Sequence, residues 1–314
     1  MTTPAGRLML VHAHPDDETS GTGATMARYA ALGAQVTLVT CTLGEEGEVL
    51  VEGLAHLGST QQDALGTHRL SELTAAMAEL GVTDFVRLGG DHRYRDSGMR
   101  YGDNGEVVPV QQGREGTFWT ADLLEAANEL VPLIRDRRPQ VLITYNEYGG
   151  YGHPDHIQAH RVAMYATQLA AARSYRLDLG EPWQVERVLW TAWSADTLRA
   201  AVRAARDAGD DEFFAGLDPD GELPPMVTPD ELIDCVIDAR DHAGQKLAAL
   251  RAHATQVNVD DGFFRWMTSS QEWAVEHYRL AMGTPFPSGA DDLFAGLDGP
   301  GAPGPGAPGR EEPR

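Results

Sequence analysis

The chain has 314 residues, a length that fits one large α/β domain or one domain carrying a substantial appendage. Hydrophobic residues at 42% and charged residues at 23% are ordinary for a globular protein, so the body of the chain is expected to fold without disulfides. A formal net charge of -22 excludes a protein that works by neutralising phosphates, and nucleic acid is not an expected partner.

Cys41 and Cys235 lie far apart, with no metal-type or redox-type spacing, and are read as buried free thiols. No charged segment followed by an apolar stretch opens the chain, and no apolar run reaches the ~20 residues that span a bilayer. A cytoplasmic protein with no membrane partner is the expectation. Oligomeric state is not indicated.

The first predicted element is a strand over residues 7–13, RLMLVHA, whose mostly apolar run without alternation fits a strand covered on both faces. Ser20-Gly21-Thr22-Gly23 reads as a small-residue turn into a helix over residues 24–32, with Gly33 after its end. Strand 35–42, helix 68–80, strand 84–88, helix 121–135, strand 140–145, helix 155–173 and strand 185–193 follow. This alternation predicts an α/β, Rossmann-like, mostly parallel sheet with helices on both faces.

Residues 195–225 give no clean pattern, and their Phe, Asp and Gly content is compatible with a lid. Residues 229–254 read as one long helix. From 283 onward the composition turns to Gly, Pro, Ala and Asp, ending GPGAPGPGAPGREEPR, which cannot bury enough apolar surface to fold. The expected organisation is a Rossmann-like catalytic domain over 1–194, a smaller C-terminal helical or mixed region over 195–282 completing the substrate pocket, and a disordered tail over 283–314.

Two clusters carry the chemistry. His14-Pro15-Asp16-Asp17 follows the first strand, and His153-Pro154-Asp155-His156 follows strand 140–145 through a Gly-rich loop. In an open α/β sheet both positions open onto the crevice at the strand carboxyl ends. Catalytic zinc takes about three His, Asp or Glu ligands and leaves a position for water. His14, Asp17 and His156 supply such a set.

Asp16, one residue from a ligand, is then the candidate general base for the metal-bound water. A protonated His153 would stabilise an oxyanion and help the amine depart, with Asp155 orienting it and holding up its pKa. Tyr151 offers a phenol from the same loop. Each assignment has a plainer competitor: His-Pro-Asp is common in turns, and Pro154 and Asp155 suit the first turn of any helix. His12 reads as a core or supporting histidine. Two such clusters on two strand ends of one sheet favour the metal site over the turns.

HAHPDDE at His12 to Glu18 and GYGHPDH at Gly150 to His156 resemble the zinc-dependent N-acetylglucosaminyl deacetylases of the LmbE-like, or PIG-L, superfamily. CTLGEEGEV from Cys41, LGGDHRYRDSGM from Leu88 and AHATQV around His253 are similar to its mycothiol-biosynthesis branch. The resemblance implies removal of acetate from N-acetylglucosaminyl-inositol, with the roles above carried over unchanged. It also implies that Arg69, Asp96 and Met99 contact the sugar or inositol. Asn146-Glu147-Tyr148 departs from the Asp-x-Asn of that family.

Three rival readings stay open. A mycothiol S-conjugate amidase shares the paired motifs; a 2-His-1-carboxylate Fe(II) oxygenase shares the ligand types; a sugar-binding protein without activity shares the fold. Fe2+ is a possible occupant alongside Zn2+ because both accept this ligand set.

Overall fold

The computed structural model describes residues 6–103, 106–110, 114–207, 209 and 217–297. In chain order the elements are β1 (Arg7–His12), α1 (Asp17–Ala31), β2 (Gln35–Thr40), α2 (Leu65–Leu80), β3 (Asp84–Arg87), β4 (Met99–Tyr101) and β5 (Val107–Pro109). They continue with α3 (Leu123–Arg137), β6 (Val141–Thr144), α4 (Pro154–Ala171), β7 (Arg187–Ser194), α5 (Ala195–Asp207) and β8 (Val227–Thr228). The chain then forms β9 (Cys235–Asp238), α6 (Ala243–Ala252), α7 (Gly262–Met267) and β10 (Val275–Gly283).

The main sheet has the order β3-β2-β1-β6-β7-β10-β9, with β8 attached to β7. The pairs from β3 to β7 are parallel, and β10 and β9 close that side antiparallel. Alternate residues of β1 explain its unbroken apolar run. Leu8 and Leu10 enter a core layer with residues of α1, α2 and α6, while Met9 and Val11 enter the opposite layer with α3 and α4. Both faces are covered, as the alternation of strands and helices predicts.

The chain leaves β1 to pair β2 on one side and later returns as β6 on the other. A crevice opens at the carboxyl ends of neighbouring strands where the order diverges in this way. Both His-Pro-Asp clusters lie at that end, one after β1 and the other after β6.

Four expectations are corrected. Helix α1 begins at Asp17 rather than 24, so Ser20 to Gly23 is helix and not turn. The small residues serve packing: a Cβ on Gly23 would come within 3.2 Å of Lys246 Cγ on α6. The long helix at 229–254 is instead a strand and a helix, because Cys235, Val236, Ile237 and Asp238 alternate buried and exposed and pair with β10. Strand β10 itself carried no sequence expectation.

The tail does not begin at 283. Leu293 is fully buried in the core layer that holds α1, and Phe294 packs edge-on against Tyr29 at 5.4 Å. Buried Arg187 donates to the carbonyls of Thr284, Pro285, Leu293 and Ala295. A guanidinium with five donors satisfies a turn that has no regular pairing of its own. Residues 298–314 of the expected tail lie outside the described residues, as does part of the segment considered as a lid. The sheet also runs across the expected boundary at 194, since β10 pairs with β7. Among the described residues no helix is long and apolar enough to cross a membrane.

Candidate active site and metal centre

The first cluster is a helix start under constraint. Asp16 is the N-cap of α1, with φ of 102° and ψ of -31°, a conformation that a residue with a Cβ adopts only when its surroundings impose it. Its carbonyl accepts from Thr19 and Ser20 in the first turn, and its amide donates to Glu18 Oε2 at 2.9 Å. Arg69 on α2 donates to Asp16 Oδ2 at 2.9 Å, to Gly44 O at 2.8 Å and to Pro15 O.

Asp17, turned inward from the start of α1, meets both clusters. Its Oδ2 lies 3.2 Å from His14 Nδ1 and 3.2 Å from His156 Nε2, and those two nitrogens are 3.3 Å apart. Ligands roughly 2.0–2.1 Å from a tetrahedral metal stand about 3.3 Å from one another, so the triangle has the spacing of a metal's ligand set. The outer ring nitrogens are committed elsewhere. His156 Nδ1 donates to Gly149 O at 3.1 Å, and His14 Nε2 faces Asp155 Oδ2 at 3.2 Å. Each imidazole therefore has its other nitrogen facing Asp17, the nitrogen that would hold a metal.

Electrostatics agree. Burial alone would lower the His14 pKa, yet the carboxylates of Asp96, Asp155 and Asp17 outweigh it and raise it well above the ordinary value. Burial would raise the Asp17 pKa, but His156 and His14 hold it well below the carboxylate range. A pocket that draws a proton this strongly draws a cation for the same reason. Two overlapping sets of buried donors surround the triangle, His14 with His153 and His156, and His14 with Asp96 and Asp155. A metal-binding His/Asp group is present.

The second cluster opens α4 with His153 as N-cap and Pro154 in the first turn. His153 Nδ1 accepts the Asp155 amide at 3.1 Å, which leaves Nε2 to carry the proton. Burial, with His14 and His156 close by, pushes its pKa down to about 2. That direction favours a neutral imidazole able to donate from Nε2, where the sequence reading expected a protonated one.

Asp155 has a different partner from the one expected. Its carboxylate faces His14, not His153, and is held by the amide of Ser97 at 2.9 Å and by the Ser97 hydroxyl. It orients a ligand of the triangle. Tyr151 is partly exposed, with its ring centroid 4.9 Å from that of His156 and 6.2 Å from that of His153, and desolvation at its inner end raises its phenol pKa.

The three residues assigned to the sugar divide. Met99 is exposed on β4, whereas Arg69 is 2% exposed with its terminal nitrogens committed to Pro15, Asp16 and Gly44. Asp96 is also buried: Oδ1 accepts the Gly98 amide and lies 3.6 Å from His14 Nε2, and Oδ2 accepts the Glu46 amide. Arg69 thus braces Asp16 through its terminal nitrogens, while its Nε has no hydrogen-bond partner among the described residues.

Tyr145 escaped the sequence reading, and other supporting residues gain partners. The Tyr145 hydroxyl donates to Asp17 Oδ2 at 2.8 Å and accepts the Ala13 amide, and its ring stacks on His156 at 4.3 Å. The available signal was a phenol at the carboxyl end of a strand that leads to the second cluster. Asn146, at the departure from the family pattern, accepts the amides of Tyr148 and Gly150 and so shapes the loop. Gly149 is required there, because at φ of 71° a Cβ would come within 2.7 Å of Ile157 N. His12 donates or accepts at Thr22 Oγ1 over 3.0 Å and is kept neutral by burial, a supporting position as read.

A family model described as GlcNAc-PI de-N-acetylase, PIG-L, matches residues 9–167, the stretch that contains both clusters. The chain belongs to the PIG-L family. Within it, the 1D-myo-inositol 2-acetamido-2-deoxy-alpha-D-glucopyranoside deacetylase of Kribbella flavida is 57% identical, over 94% of this chain and 99% of that protein. The enzyme of the same name from a Nocardioides species is 57% identical over 93% and 98%. Among solved structures, N,N'-diacetylchitobiose deacetylase from Pyrococcus horikoshii has the same fold with a TM-score of 0.56, at 19% identity over 88% of this chain and 84% of that one.

Proposed function

We propose that this PIG-L protein hydrolyses the N-acetyl group of 1D-myo-inositol 2-acetamido-2-deoxy-α-D-glucopyranoside, releasing acetate and the free glucosaminyl-inositol amine in mycothiol biosynthesis. The observation that carries the substrate is 57% identity over nearly the whole chain to a protein named for that activity. The chemistry rests on the triangle of His14, Asp17 and His156, which would hold zinc. When bound there, zinc would supply Lewis-acid chemistry, acidifying a water and polarising the amide carbonyl.

The remaining steps belong to the chain's own side chains. Asp16, whose pKa burial pushes up to about 6 against the pull of Arg69, accepts the proton of the attacking water. The water oxygen bonds to the acetyl carbon, and neutral His153 donates from Nε2 to the oxyanion that forms. As the carbon–nitrogen bond breaks, Asp16 returns its proton to the departing amine. Tyr151 adds a second donor at the mouth of the site. Asp155 keeps His14 in the tautomer that binds metal. Met99 offers an apolar contact to the sugar.

Purified protein loaded with zinc should release acetate from N-acetylglucosaminyl-inositol far faster than it cleaves the amide of a bimane S-conjugate of mycothiol. The opposite ranking would assign the chain to conjugate hydrolysis. Oxygen uptake with a 2-oxo acid would overturn the hydrolase reading altogether.

A further inference from the structure

Asp16 is held in a left-handed conformation by contacts that reach far beyond its own loop. Its amide donates to Glu18 Oε2 at 2.9 Å. The other oxygen of Glu18 receives His253 Nε2 at 2.9 Å and the Thr19 hydroxyl at 2.5 Å. Glu18 and His253 are both fully buried.

His253 arrives at the end of α6, which packs against α1 and α2. Its segment is clamped to α2 two residues later, where the Thr255 amide and hydroxyl donate to Glu72 at 2.9 and 2.7 Å. The C-terminal part of the chain therefore reaches behind the first cluster and grips it through one carboxylate.

Packing alone does not explain such a pair. Apolar side chains of similar volume commonly fill a buried site as well as an acid and an imidazole, which must be desolvated. An apolar residue at 18, however, offers nothing to the Asp16 amide. A carboxylate left without His253 keeps only the Thr19 hydroxyl on that oxygen and loses the contact that ties it to the end of α6. Arg69 braces the same residue from the other side, on Pro15 O and the Asp16 carboxylate.

We propose that Glu18 and His253 are positioning residues for Asp16: His253 orients the Glu18 carboxylate, which fixes the Asp16 amide and thereby the turn that sets where the Asp16 carboxylate stands. This rests on the reading of Asp16 as the proton acceptor of hydrolysis. Neither residue touches the substrate, and both act through the backbone of the base.

The test is a double-mutant cycle on the full chain, with acetate release and bound zinc measured on each protein. His253→Gln should lower kcat by about ten- to a hundredfold, as small misplacements of a catalytic group do, with KM within about twofold and one zinc retained. In an Asp16→Asn background the same substitution should cost nothing further, because the group it positions is gone. Glu18→Gln, which keeps an oxygen for the Asp16 amide, should lose less than about threefold, while Glu18→Ala should match His253→Gln. The Glu18 pair carries the cycle if His253→Gln fails to fold.

An equal loss in the wild-type and Asp16→Asn backgrounds would overturn the proposal, as would wild-type kcat in His253→Gln or in Glu18→Ala. A wild-type kcat in Asp16→Asn itself would instead remove the reading of Asp16 on which it stands.

Discussion

The two His-Pro-Asp clusters share three letters and almost nothing else. In the first, the helix starts at the fourth residue and Asp16 is the N-cap; in the second, it starts at the second residue and His153 is the N-cap. The motif is therefore displaced by two residues against the helix it opens, and corresponding side chains leave in different directions. Asp16 stands partly open with an arginine beside it, whereas its counterpart Asp155 is fully buried behind His14. A repeated string does not make a repeated environment: cap phase decides which residue faces the triangle, which stands behind it and which remains partly open.

Substitutions at matched positions can break that comparison. Asp16→Asn should lower kcat by about 10²–10⁴ with zinc content unchanged, since it removes the proton acceptor and no ligand. His153→Ala should follow, at about 10²–10³ in kcat for the loss of one oxyanion donor. Asp155→Asn should cost roughly 10–100-fold, and unlike its counterpart it should do so through weaker zinc binding, because it orients His14. Competition with a chelator separates the two aspartates: a Kd unchanged in Asp155→Asn would return that residue to His153.

Smaller effects sharpen the picture. Tyr145→Phe removes the hydroxyl that donates to Asp17 and should weaken zinc about tenfold, at the low end for such outer contacts, with the fold intact. Leu293→Ala lies far from both clusters in sequence and plugs the core layer under α1. It should leave kcat alone and lower the unfolding free energy by about 2–5 kcal/mol in denaturant titration. No change in stability there would mean that residues 284–297 are not part of the core.

Much of this was legible in the sequence where burial leaves a periodic trace. Strands β1, β2 and β6 are covered on both faces, so their apolar runs stand out, and the intervening helices make the parallel order readable. The antiparallel side was not legible. β9 is a four-residue strand whose alternation is too short to outweigh the helical pattern that follows it, and β10 pairs with partners distant in sequence. The core-forming segment 284–297 failed for a related reason: its carbonyls are satisfied by Arg187, a contact across about a hundred residues that composition does not register.

The site divides along the same line. The convergence of His14, Asp17 and His156 was readable because strand ends narrow the place where both clusters open. The state of His153 and the partner of Asp155 were not, because both depend on which atom faces which. Ser97 holds the Asp155 carboxylate from a different loop, while Tyr145 and Gly149 fix Asp17 and His156, contacts that show only once the atoms are placed. Arg69 shows the same limit, since a ligand-facing arginine and one that braces a neighbouring turn read alike until its donors are traced.

The division between holding metal and moving protons is tested most directly by zinc titration of metal-stripped Asp16→Asn and Asp17→Asn side by side. Asp16→Asn should bind one zinc as the unaltered chain does, and Asp17→Asn, missing a corner of the triangle, should bind it at least about a hundredfold more weakly. Equal affinities in the two variants, or loss confined to Asp16→Asn, would contradict the assignment of neighbouring aspartates to separate tasks.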